Sequence, residues 1–362
     1  MIDLNLLPDG GLTWLDASGP SSHLVLSTRV RLARNLAGYR FGNRIAGRDR
    51  EEVLDVVTSA ARQTASLGSA MSYRIDRVEA VDRQLLHERH LISRELASPG
   101  TESGSRPASA LLAQGRAAVM VNEEDHLRLQ ALSSGVDLEA TFAAVRKVDA
   151  ELGQRLAFAF HPEFGYLTSC PTNVGTGLRA SVLIHLPGLV LTKEINRVLQ
   201  GLTQVGLTYR GLYGEGSEVV GNFFQLSNQT TLGKSEGELL DHLGKIVQRV
   251  MGYEERARQV LLRDATSVLE DKVWRAFGLL RYARSLSFEE TMNLLSGVRL
   301  GVGLALIPNV GLYTLNRLLV FTQPAHLAAA SGGEMDDETL RVRRATYVRE
   351  LLEGEVGRKG GT

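Results

Sequence analysis

The amino-acid sequence predicts an α+β protein: a mixed strand-and-helix domain over residues 1–258, then a smaller all-helical domain over 259–362. Three observations carry this. Short apolar runs bounded by glycine and polar residues fill the first two thirds of the chain. From Ser235 onward they give way to helix-capping signatures ahead of segments with helical apolar spacing. The length, 362 residues with 43% hydrophobic and 23% charged, suits about two ordinary globular domains.

Taken in order, the runs 24–26, 117–121, 156–160, 181–186 and 219–226 predict strands. Between the first two, the pattern over 50–67 predicts a helix with Asp49 as its N-cap. The Ser/Gly/Pro cluster 98–107 predicts a mobile surface loop. Ser235-x-x-Glu238 and Ser287-x-x-Glu290 are capping boxes that open helices, and Pro308-Asn309-Val310-Gly311 reads as a turn between two more. The break at 330–333 precedes a last helix expected from Asp336–Asp337 to Gly354, and the tail from Gly357 to Thr362 is expected to fray. There is no internal repeat.

Charge narrows the function. Lys+Arg and Asp+Glu are both 41, so the net charge is zero, which weighs against a dedicated nucleic-acid binder. The basic residues are 6 Lys and 35 Arg, a bias toward the planar fork that binds phosphate bidentately. The single cysteine excludes an intramolecular disulfide and a cysteine-based zinc cluster. No basic-then-apolar leader and no run of about 18 apolar residues is present, so the expectation is a cytoplasmic protein that does not enter a membrane.

Five local clusters carry chemistry. In Ser27-Thr28-Arg29-Val30-Arg31, an extended chain sets Arg29 and Arg31 on one face, where they repel unless an anion such as polyphosphate lies between them. A solvated strand edge is the plainer alternative. In Asn122-Glu123-Glu124-Asp125-His126-Leu127-Arg128, Asn122 can cap a helix with three carboxylates in its first turn. Either this is a well-made helix start, or an acidic pocket for a cation in which Glu124 and Arg128 lie one turn apart. The segment 168–181 combines Cys170, a Gly175-Thr176-Gly177 turn that lets backbone approach a ligand, and Arg179. It is not a Walker A loop, and a lone cysteine is more often an inert small hydrophobe. Arg210 and Glu215 are the functional side chains of a flexible loop with glycines at 211, 214 and 216, either an ordinary hairpin loop or one of the kind that closes over substrates. His90 lies in Glu88-Arg89-His90 and is unremarkable alone. No metal-type histidine spacing, catalytic triad or dinucleotide fingerprint accompanies them.

Together, S-T-R-V-R, N-E-E-D-H-L-R, C-P-T-N-V-G-T-G-L-R and R-G-L-Y-G-E resemble the ATP:guanido phosphotransferase (phosphagen kinase) family over residues 20–255. G-N-x-x-Q-L-S-N-Q and I-P-N-V-G-L-Y-x-L-N-R-L extend the resemblance, along essentially the whole chain, to its bacterial protein-arginine kinase (McsB-type) branch. The resemblance implies a largely antiparallel sheet flanked by helices, with ATP and Mg2+ as cofactors. It implies that Arg29, Arg31, Arg128, Arg179 and Arg210 cage the nucleotide phosphates. Ser27, Thr28, Val30, His90, Ala180, Ser181, Val182, Leu183, Gly211, Leu212, Tyr213 and Gly214 match the rest of the nucleotide site. Glu124 and Glu215 match the carboxylates that hold the acceptor guanidinium, and Cys170 matches the family's reactive cysteine. No residue is implied as a metal ligand.

The expected activity is phosphorylation of arginine side chains in proteins. Only 28 residues precede Arg29, whereas small-molecule phosphagen kinases carry a helical domain of about one hundred there, so the acceptor pocket is expected to stay open on one side. The resemblance further implies self-phosphorylation and a degradation tag read by a Clp-type protease. A zinc-containing activator protein and a heat-shock repressor substrate are implied in the same way. A homodimer is left open. A small-molecule guanidino kinase and a non-catalytic arginine- or phosphoarginine-binding adaptor stand as alternatives. One motif departs: where the family's second domain binds phosphoarginine through R-D-x-x-R-A, this chain has Leu340-Arg341-Val342-Arg343-Arg344-Ala345.

Overall fold

The computed structural model describes residues 12–98, 106–212, 219–333 and 335–358. Its strands are β1 (Val25–Arg34), β2 (Met71–Arg74), β3 (Ala110–Gln114), β4 (Ala117–Val121), β5 (Leu127–Ser134), β6 (Phe160–His161), β7 (Gly165–Tyr166), β8 (Leu178–His185), β9 (Leu207–Arg210) and β10 (Phe223–Asn228). Its first helices are α1 (Gly47–Arg62), α2 (Ala80–Glu88), α3 (Arg94–Ala97), α4 (Leu138–Gly153), α5 (Pro187–Leu191) and α6 (Ile195–Gln204). The remainder are α7 (Glu236–Asp264), α8 (Thr266–Tyr282), α9 (Phe288–Gly303), α10 (Leu312–Phe321), α11 (Pro324–Ser331) and α12 (Asp337–Arg358).

Eight strands form one sheet in the order β2-β3-β4-β5-β1-β8-β10-β9, with every pairing antiparallel. The sheet's two faces differ because side chains alternate. One face of the central strands carries Val30, Leu32, Leu129, Ala131, Leu178, Ala180, Val182 and Leu226, which pack with apolar residues of α1, α4, α6 and α7 into the main core. The other face changes character along its length. At one end Leu26, Leu132, Leu183 and Phe223 join the core of the helical region α8–α12, together with Trp14 and Leu15. Two residues further along the same strands stand Gln130, Ser181 and Gln225, and then Arg128, Arg179 and Ser227. The C-terminal helices thus cover the apolar end of this face and leave its polar end open.

Several expectations are corrected. Of the 156–160 run only Phe160 lies in a strand, Phe160–His161, which pairs with Gly165–Tyr166 in a separate small hairpin, and Phe158 makes an isolated bridge to Leu36. The first helix is capped by Ala46, with Asp49 in its first turn and Arg62 as its last residue. Asn122 does not open a helix. It sits at φ +55° in the β4–β5 connection, its N–H donates to His126 O at 2.9 Å, and its side-chain amide holds Arg50 O and Ala108 O. Pairing across β4 and β5 satisfies the backbone there and outweighs the local capping pattern. The Ser235–Glu238 capping box forms as expected, as does the Ser287 cap on Glu290. The helix it opens, α7, runs unbroken through the expected 258/259 junction. The last helix continues past Gly354 to Arg358. Most of the 98–107 loop, residues 99–105, and the end of the tail, 359–362, lie outside the described residues.

A buried polar cluster ties α5 to α7 beneath the sheet. Glu254 on α7, fully enclosed, accepts Gly188 N–H and Leu189 N–H at 2.9 Å each and Arg258 Nε at 2.6 Å. Burial pushes its carboxyl up, against the pull of Arg258. Removing a buried partner of this kind strands the other charge. Glu254→Ala is expected to cost about 3–5 kcal/mol, and urea unfolding of the full chain measures it.

Candidate active site

The open end of the sheet face forms the floor of a cavity of about 1550 Å³. Register explains who reaches it. On β1, Arg29 stands opposite Leu132 and Ser181, and Arg31 stands between Gln130 and Arg179. Arg128 enters from β5 and Arg210 from β9, beside Gln225. All five expected cage arginines therefore line one cavity, with His90 and, on another wall, Glu124 and Cys170. Among the described residues the lining holds nine arginines and four acidic residues (Glu95, Glu123, Glu124 and Asp125), in a chain whose total charge is zero.

That crowding shows in the electrostatics. Burial and the cations of Arg128 and Arg179 push Arg29 down to about 9. Arg31 is driven well below its ordinary value by burial and by Arg29, Arg128 and Arg179. Its Nε is enclosed with no hydrogen-bond partner. Arg128 alone among these three is raised: burial opposes it, but Glu123, Glu95 and Glu124 prevail. Glu123 Oε1 lies 2.5 Å from Arg128 Nη1, and this cation keeps the buried Glu123 ionised despite its burial. His90 is held neutral by burial and by Arg29. A polyanion would relieve what Glu123 only partly offsets.

The wall that bears Glu124 and Cys170 is stitched from two loops. Asp125 Oδ1 accepts Ser169 N–H and Asn35 Nδ2, each at 2.6 Å. Ser169 Oγ donates to Glu124 O at 2.9 Å, and Glu124 N–H donates to Glu123 Oε2 at 2.7 Å. These bonds bring Glu124 beside the Cys170 loop, where Cys170 Sγ is 3.1 Å from Thr172 Oγ1. Burial pushes His126 down to about 4; its Nδ1 accepts Leu36 N–H, which leaves Nε2 to donate to Arg40 O.

Not every expected residue faces the cavity. The side chains of Val30, Ala180 and Val182 lie in the core on the opposite face, and Thr28 Oγ1 donates to Gly135 O. Ser27, Ser181 and Leu183 are buried in the sheet, and Gly211 and Leu212 also fall outside the lining. Within the sheet these residues fix the register of the arginines. The Gly-Thr-Gly turn approaches the protein itself: a Cβ on Gly177 (φ +66°) would meet Ala33 O at 2.6 Å. Tyr213, Gly214 and Glu215 lie outside the described residues. Sequence reasoning gave Glu123 no role beyond an acidic cluster, and it missed Gln130, Gln225 and Ser227. For the last three a signal existed, since polar residues stand at alternate positions of otherwise apolar strands.

Residues 52–257 match the ATP:guanido phosphotransferase C-terminal catalytic domain. The chain belongs to the ATP:guanido phosphotransferase family. Residues 266–359 match the C-terminal domain of the protein-arginine kinase McsB. This guanido phosphotransferase has relatives that match it over more than nine tenths of its length. The protein-arginine kinase of Symbiobacterium thermophilum is 45% identical over 342 residues, covering 94% of this chain and 96% of the relative. That of Desulforamulus reducens is 43% identical over 342 residues, 94% and 95%. Among solved structures, the duplicated taurocyamine kinase of Schistosoma mansoni superposes with a TM-score of 0.58 at 27% identity, covering 76% of this chain and 39% of that one. Lombricine kinase gives 0.56 at 25% identity, covering 69% and 71%. The phosphotransferase fold, an antiparallel sheet flanked by helices, is as the sequence predicted. The catalytic-domain match begins after Arg29 and Arg31, so their place in the cage rests on the register of β1.

In the second domain, Arg344 is buried and donates Nε to Thr322 O and Nη1 to Leu286 O, while Arg341 pairs with Asp337 at 2.7 Å. No helix among the described residues is long and apolar enough to cross a membrane.

Proposed function

We propose that this phosphotransferase moves the γ-phosphoryl group of ATP to the guanidinium of arginine side chains in proteins. The carrying observation is the division of one cavity into an arginine-lined floor and a wall bearing Glu124 and Cys170. The floor takes the triphosphate, and planar forks on Arg29, Arg31, Arg128, Arg179 and Arg210 meet charge that spreads over the transferring group. Mg2+, when bound with ATP, would neutralise part of the triphosphate charge; among the described residues no group of three or more histidine, cysteine or carboxylate side chains could hold a metal ion.

A guanidinium is a poor nucleophile because its lone pair is delocalised and protonated. Glu124 orients it and accepts its proton as the nitrogen–phosphorus bond forms and the bond from phosphorus to the β-γ bridging oxygen breaks. Glu215, by its place in the motif, is the second carboxylate, and Cys170 supports the acceptor's charge. Likeness to relatives named protein-arginine kinases, and to their C-terminal domain, favours protein arginine over a free guanidino compound. The site of action is the cytoplasm.

The full chain, given γ-labelled ATP, an arginine-rich unstructured protein and free arginine together, should label the protein in an acid-labile form. Label that survives acid, or label confined to free arginine, would overturn the proposal, the latter in favour of a small-molecule kinase.

A further inference from the structure

The wall of the cavity that carries His90 is tied to the helical domain by a buried cluster that the phosphotransferase chemistry does not use. Glu88, the last residue of α2, is enclosed in the protein. Its Oε1 accepts Ala325 N–H at 3.0 Å, and its Oε2 accepts His326 N–H at 3.1 Å and His326 Nδ1 at 2.7 Å. A carboxylate from the catalytic domain thus caps the first turn of α11, whose own N-cap, Gln323, makes no side-chain cap. The next residue, Arg89, donates Nε to His326 Nε2 at 3.1 Å. Arginine can only donate, so Nε2 of His326 accepts and the ring proton sits on Nδ1, facing Glu88. One neutral imidazole therefore holds both residues that precede His90.

His90 itself is in the left-handed region at φ +60°, where a non-glycine residue stays only if its surroundings hold it. Its carbonyl accepts Gln130 Nε2 at 2.8 Å, its ring stands edge-on to Trp14 at 5.2 Å between centroids, and it lines the cavity. Fixing residues 88 and 89 from outside is what makes that turn single-valued.

We propose that His326 is a positioning residue for nucleotide binding, acting from the helical domain through Glu88 and Arg89 on His90. This rests on the reading that the cavity floor takes ATP. The coupling is local and contiguous: three consecutive residues on one side, one side chain on the other.

The test is a double-mutant cycle on the full chain, with KM for ATP, kcat and KM for the acceptor protein as readouts. His326→Leu should raise the KM for ATP by about three- to thirtyfold and leave kcat and the acceptor KM near the wild type. His326→Asn, whose amide can still donate to Glu88 but offers Arg89 no ring nitrogen, should restore part of the loss. In a His90→Ala background, His326→Leu should change the KM for ATP little further, because the effect passes through His90. Equal multiplicative effects in both backgrounds, or a lowered melting temperature with the KM for ATP unmoved, would overturn the positioning role. If His90→Ala alone leaves the KM for ATP unchanged, the nucleotide reading of that wall falls and this inference falls with it.

Discussion

Arg31→Met should stabilise the nucleotide-free protein while lowering kcat by about 10³ or more. Both effects follow from one geometry. Arg31 stands between Gln130 and Arg179 in the ladder, with Arg29 two residues before it on the same face. Without a bound anion its charge is opposed by burial and by Arg29, Arg128 and Arg179. Methionine fills the space of the arginine stem as far as Nε and carries no charge, so the gain should be about 1–2 kcal/mol, the low end for removing a buried charge, because the guanidinium is half-buried. Arg31 is then absent when the phosphoryl group passes between donor and acceptor. ATP at about one hundred times its Kd should stabilise the wild type by about 2.7 kcal/mol, and the variant far less. Thermal melts with and without ATP, read beside initial rates, check both halves. Turnover within tenfold of wild type would remove Arg31 from the cage.

Period two made much of this site legible. The sequence S-T-R-V-R already sets Arg29 and Arg31 on one face, and pairing with R-A-S on β8 and L-R-L-Q on β5 adds Arg179, Arg128 and Gln130. The sequence could not show where that face changes from apolar to polar, because the change is set by which strands lie side by side. Leu132, Leu183 and Phe223 are apolar residues in separate segments until the sheet joins them beneath the helical domain. The misreading of Asn122 has a similar cause: an N-cap residue followed by carboxylates suits a helix start, and only pairing of β4 with β5 makes it a tight connection. The Gly175-Thr176-Gly177 turn was legible as a close approach, but its partner, Ala33 on β1, is 144 positions away from Gly177. Glu88 and His326 sit 238 positions apart and left no local mark at all.

Glu123 and Glu124 are adjacent in sequence, and their amide variants should fail in opposite ways. Glu123 is buried against Arg128 and accepts the N–H of Glu124, so it belongs with the arginine floor. Glu123→Gln removes the charge that holds Arg128 in place and should act chiefly on the KM for ATP. Glu124 lines the cavity beside the Cys170 loop, and its backbone is fixed at both ends by Glu123 Oε2 and Ser169 Oγ. Those two bonds survive Glu124→Gln, so the wall keeps its shape and ATP binding should change by less than about threefold. What disappears is a base to take the guanidinium proton, together with a charge to orient the group. General-base catalysis of this kind contributes about 10²–10⁴-fold, so kcat should fall within that range. Nucleotide titration by calorimetry, with single-turnover rates on an arginine-rich protein, separates the two variants. If Glu124→Gln weakens ATP binding as much as it slows transfer, the carboxylate faces the nucleotide and the acceptor wall lies elsewhere.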